Sequence, residues 1–194
     1  MSSRCPYAIA SILVVALGAC APASDTAGPA ALFSPTVASQ PATVSVADQA
    51  FLGLAAQSGL AEVALAELAQ QRALSSSVRD FAERMMADHT RANAELVALA
   101  TSRGVVPPES PDPARQAVVQ RLAAMEGSEF DRHYLRQQIA EHEVAIALFA
   151  SAAQGGSDHG VQSFAAKWLP SLRDHAEHAR SIAPLGEAMA RRPG

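Results

Sequence analysis

Four segments of this 194-residue chain place side chains for burial at alternating steps of four and three, the spacing of a helix face that packs along its whole length against other helices. Val78, Ala82, Met85, Ala92, Leu96 and Leu99 form one such seam, and His89 fills its central slot. His142 sits in the same way among Leu135, Ile139, Ile146 and Phe149, and His175 among Val161, Phe164, Trp168, Leu172, Ala179 and Ile182. The fourth seam, Phe51, Ala55, Ser58, Leu65 and Ala69, carries Glu62 at its centre. An imidazole or a carboxylate inside such a seam needs a partner. The pattern therefore predicts three histidines and a glutamate meeting inside a helical bundle.

The connections between the seams agree with this. Asp48 is read as the N-cap of a first helix running to about Leu74. Ser75-Ser76-Ser77 makes a tight turn and offers an N-cap to a second helix that ends before Gly104. Pro107, Pro108, Pro111 and Pro113 forbid helix and mark the longest internal loop. A short helix from about Asp112 to Met125 follows, then a long one from Ser128 to Gln154, which Gly155-Gly156 breaks. A last helix runs from about Asp158 past Ile182, and no segment reads as a strand. The fold class is all-α, an antiparallel four-helix bundle of two α-hairpins with a short extra helix in the connection.

The hairpins also echo one another. Glu62-Val63-Ala64-Leu65-Ala66 resembles Glu143-Val144-Ala145-Ile146-Ala147, and Phe81-Ala82 with Asp88-His89 is repeated as Phe164-Ala165 with Asp174-His175. Glu62 lies about thirteen residues before the serine turn and His89 about thirteen after it, which puts both at one depth at about 1.5 Å per residue. His142 and His175 are similarly deep in the second hairpin.

The N-terminus speaks to the compartment. Arg4 precedes an apolar run, Ala8 to Leu17, that is too short to span a bilayer, and Leu17-Gly18-Ala19-Cys20 follows it. This resembles a bacterial lipoprotein signal, which implies cleavage after residue 19, acylation of Cys20 and anchoring on the periplasmic side of the envelope. Ala21 after the cysteine implies the outer membrane. Cys5 lies in the signal, so no disulfide is available to the mature chain. The expected organisation is a signal at 1–19, the lipidated cysteine and an Ala/Pro/Ser/Thr tether at 20–45, the bundle at 46–187 and a tail at 188–194. The net charge of −4 becomes more negative when Arg4 leaves, and Arg191-Arg192 is the one basic pair of note, so nucleic acid is not an expected partner.

Ser58-Gly59-x-x-Glu62-Val63, Phe81-Ala82-x-x-Met85-x-x-Asp88-His89, Phe130-Asp131-x-x-Tyr134, His142 and Leu169-Pro170-x-Leu172-x-x-His175 together resemble the bacterial domain of unknown function family 4142. The resemblance runs from about Ala50 to Ala183 and implies a ferritin-like bundle in an exported protein. Di-iron ferritins use Glu-x-x-His pairs, whereas Met86 and Leu172 stand three residues before His89 and His175, so a carboxylate-bridged iron pair is not expected. Three imidazoles and a carboxylate suit one zinc, copper or iron ion, held by Glu62, His89, His142 and His175. Met85, Glu143 and His178 are further candidates, Met85 because a thioether on the face of His89 favours copper. Asp88 and Asp174 point about 100° away from the histidines they precede and are read as surface or supporting groups, and His133 and His159 as solvated.

The chain has no cysteine nucleophile, Gly-x-Ser-x-Gly, phosphate-cradling loop or haem-attachment motif, so any enzyme reading passes through a metal. The competing reading is a structural or interaction lipoprotein whose histidines are only hydrogen-bonded.

Overall fold

A computed structural model describes residues 44–190; the signal, Cys20, most of the tether and residues 191–194 lie outside them. The described residues form five helices, α1 (Val46–Arg72), α2 (Ser76–Ser102), α3 (Pro113–Ala123), α4 (Gly127–Gly155) and α5 (His159–Ala190). The last helix thus continues through Ala190, past the expected bundle limit at 187.

Local chemistry sets the helix ends. Asp48 is not the N-cap of α1: that position belongs to Ser45, whose Oγ accepts from Asp48 N at 3.1 Å while its hydroxyl donates to the Asp48 carboxylate at 2.8 Å. Asp112 caps α3 by accepting from Arg115 N at 3.0 Å, with Pro113 in the first turn, where its missing N–H costs nothing. Gly104, at φ +70°, closes α2 by letting Val105 N return to Ala100 O at 2.9 Å. Gly127, at φ +60°, turns the chain into α4 beside Ala73.

α1 packs on α2, and α4 on α5, as two antiparallel hairpins; α1 also meets α4, and α2 meets α5. Since α4 begins beside the end of α1, the segment between α2 and α4 must travel the full length of the bundle, and it carries α3 across α1 and α4 on the way. One long crossover between two hairpins is the connectivity of a ferritin-like bundle. α1 lacks a strong apolar-to-polar contrast around its axis because three helices, α2, α3 and α4, cover it.

Each hairpin is bolted to the turn of the other. The buried Asp48 carboxylate, on the first turn of α1, accepts from the backbone N–H groups of Ser157 and Asp158 in the α4–α5 turn at 3.0 Å each. The buried Asp131 carboxylate, near the start of α4, accepts from Leu74 and Ser75 in the α1–α2 turn at 3.0 and 2.9 Å. Ser75 occupies the N-cap position of α2 without a side-chain cap bond, because Asp131 serves its backbone instead. Between these bolts the core divides in two. One apolar cluster gathers Leu65, Phe81, Met85, Phe130, Tyr134 and Leu135. The other gathers Phe51, Leu52, Leu96, Phe149, Phe164 and Trp168. The seam histidines occupy the layer that separates them.

Candidate metal centre

His89 on α2, His142 on α4 and His175 on α5 converge: one ring nitrogen from each lies within 4.8 Å of those of the other two. The ring centroids are 5.4–5.6 Å apart. All three are buried, with exposures of 8%, 1% and 1%. Because each histidine takes the place of an apolar residue in its seam, helix packing alone brings the rings together.

Two rings are oriented from behind. His142 Nδ1–H donates to the Gln138 carbonyl at 2.9 Å, one turn back on α4, which leaves Nε2 with a free lone pair. His175 Nε2–H donates to Asp88 at 2.9 Å, which leaves Nδ1 with one. His142 Nε2, His175 Nδ1 and His89 Nε2 are buried and have no hydrogen-bond partner among the described residues. Burial drives all three imidazoles toward the neutral form. It holds His89 well below the ordinary histidine range, with the two neighbouring rings adding to it, lowers His142 to about 4, and lowers His175 against the opposing pull of Asp88. Neutral imidazole with its outer nitrogen tied to a carbonyl or carboxylate is the state in which histidine binds metal.

Glu62 lines the same cavity but is not one of the converging set. Its carboxyl, 2% exposed, accepts from Gln138 Nε2 at 2.7 Å. Burial pushes its pKa up to about 8, the Gln138 bond opposing and the nearby Glu141 reinforcing the shift. At neutral pH it therefore carries a proton. Gln138 thus touches both halves of the layer, its carbonyl orienting His142 and its amide holding Glu62.

The three further candidates lie elsewhere. Met85, fully buried, belongs to the apolar cluster on the Tyr134 side of the histidines and does not line the cavity. Glu143 is exposed and pairs with Arg180 at 2.6 Å, because one residue after His142 is about 100° further round the helix. His178 is half-buried with its ring edge-on to Phe81 at 5.2 Å, one turn beyond the cavity. Asp174 is largely exposed and lies 3.9 Å from Arg84. His159 is exposed as expected, and His133 is half-buried.

Asp88 links the buried layer to the surface: beyond His175 it meets Arg91 at 3.0 Å and Arg84 at 3.7 Å. Arg91 in turn covers the Trp168 ring at 5.0 Å. The sequence reading passed over Asn93, whose side chain lines the cavity and lies across Gly59; a Cβ at Gly59 would fall 1.9 Å from Asn93 Oδ1. The glycine of Ser58-Gly59 thus makes room for an amide on α2. The cavity has a volume of about 30 Å³, room for one or two waters.

A profile of the domain of unknown function DUF4142 matches residues 33–182, and the chain belongs to this family. None of the curated proteins matches the sequence. Among solved structures, a DUF305 fragment from Deinococcus radiodurans is similar, with a TM-score of 0.65 and 17% sequence identity over 73% of this chain and 97% of that one. That likeness concerns the fold alone, and the fold it supports is the ferritin-like helical bundle expected from the sequence.

Proposed function

We propose that this protein is a metal-binding, ferritin-like lipoprotein of the cell envelope, with one transition metal ion, zinc, copper or iron, held by His89, His142 and His175, and with Glu62, which lines the same cavity, as a fourth ligand that would have to give up its proton and turn toward the ion. The observation that carries the reading is the set of three buried ring nitrogens with no partner among the described residues. His142 Nε2 and His175 Nδ1 present lone pairs to one point, and in its Nδ1–H tautomer His89 adds a third, so one cation can be coordinated by all three rings at once. A first-row ion sits about 2 Å from each nitrogen, so nitrogens around one ion are about 3.5 Å apart, and small rotations of the three rings close the 4.8 Å spacing.

Anchoring is the second part of the proposal. Cys20, acylated, would hold the domain on the periplasmic side of the envelope, in the outer membrane by the residue at 21, with the tether between lipid and bundle. Nothing in the charge pattern recommends nucleic acid as a partner. No reaction is assigned.

The test is elemental analysis of tag-free protein isolated from the envelope, wild type beside His89→Ala. One equivalent of metal in the wild type and none in the variant supports the reading. A metal-free wild type that also takes up none of zinc, copper or iron overturns it.

A further inference from the structure

The cavity at the histidine layer is one-sided. Asn93 and Leu96 follow His89 along α2, Phe149 follows His142 along α4, and Phe164 and Trp168 precede His175 along α5. With the helix directions of this bundle, all five lie toward the end where α1 begins. One turn the other way stand Met85, Gln138 and Ala179, all fully buried. An ion bound to the three ring nitrogens would therefore have packed core on one face and open volume on the other.

The size of that volume is selective. About 30 Å³ is room beside the ion for two water-sized bodies at roughly 10–15 Å³ each. Organic ligands need pockets of about 300 Å³ or more. Most of the walls are apolar, which keeps bulk water from competing for the ion. We propose that this chamber binds a single exogenous ligand of one to three atoms directly on the ion, so that the centre exchanges small ligands and is not a closed structural site. The inference rests on the metal reading above.

The experiment uses protein loaded with cobalt(II), whose visible spectrum reports its coordination, with azide as the probe. Ala92, half-buried on α2, lines the chamber without being a candidate ligand, so Ala92→Leu fills it and spares the histidines. The expected result is a saturable azide-dependent spectral change in the wild type and an azide affinity at least tenfold weaker in Ala92→Leu, with one equivalent of cobalt in both. Stoichiometric cobalt whose spectrum azide leaves unchanged overturns this inference while the metal reading stands. Equal azide affinities in the two proteins place the ligand outside the chamber and overturn it as well. Failure to bind cobalt, zinc, copper or iron overturns both.

Discussion

Glu62 gives the sharpest test of how the layer is held, through the pH dependence of stability of the metal-free protein. Its native pKa of about 8 lies above the ordinary 4.5, so between those values the folded state keeps a proton that the unfolded chain releases. That contribution is complete below pH 4.5 and is lost as pH rises through 8. The histidines act with the opposite sign: their native values lie below 6.5, His142 at about 4, so the unfolded chain takes up protons as pH falls below 6.5 and stability drops there. The unfolded chain's histidines are still half protonated at pH 6.5 and go on losing those protons up to about pH 7.5, so they add stability over the same interval in wild type and variant alike, and only the difference between the two proteins isolates Glu62. At about 1.4 kcal/mol per pH unit well below 8, falling to half that at 8, the contribution of Glu62 should shrink by about 1.6 kcal/mol between pH 6.5 and 8, with the histidines offsetting most of it in the wild type's own curve. Glu62→Gln retains an acceptor for Gln138 and has no proton to lose, so its stability should rise by about 1 kcal/mol across that interval through the histidines alone, while the wild type stays nearly level or falls slightly. Urea unfolding with chelator present, at half-unit steps from pH 6.5 to 8, measures both slopes. A variant whose slope matches that of the wild type would refute a protonated Glu62.

Metal at a hundred times its dissociation constant should add about 2.7 kcal/mol to the wild type and raise its melting temperature by about 5–10 °C, while His89→Ala should melt at one temperature with or without metal; calorimetry with chelator and with each ion compares them. Asp88→Ala removes the acceptor that orients His175 and should weaken metal binding by about 10–100-fold, read by competition with a chelator of known affinity. Asp131→Ala leaves Leu74 N and Ser75 N unserved and should destabilise the fold by about 1–3 kcal/mol, seen in the urea midpoint with metal stoichiometry unchanged. Cys20→Ser should move the protein from the membrane and detergent fractions to the soluble fraction, or leave it unprocessed; native protein found wholly soluble would end the anchoring proposal.

The parts legible in the sequence are those that a one-dimensional period encodes. A polar residue in a four-three seam must point inward, so His89, His142 and His175 could be placed in one layer from spacing alone, and the crossover could be placed by its prolines. Contacts that depend on how the helices are rotated and staggered were not legible. Glu143 and His178 stand one and three residues from seam histidines, yet the first faces Arg180 and the second Phe81. Asp88 could be turned away from His89 by counting, but its partner His175 is on another helix, set by the register of α2 against α5. Asp131 gave no signal as a bolt, because what it serves is backbone N–H in a turn more than fifty residues away. Asp48 was legible as a helix-start residue and illegible as the clasp on Ser157 and Asp158.

The two bolts bear on why the layer can exist. Three buried ring nitrogens with no partner among the described residues are a costly way to build a core, about 1–3 kcal/mol for each one left unserved, and leucines at the same three seam positions would extend one apolar cluster into the other. The three histidines share a single layer of the bundle. Apolar clusters fill the space on either side of it, and reciprocal aspartates fix each hairpin to the turn of the other. Departures from a locally consistent pattern, such as a histidine at the centre of each of three apolar seams, mark where function is to be sought. Under the metal reading proposed above, a cation that joins the three rings would return to the folded state the free energy that the layer withholds from it.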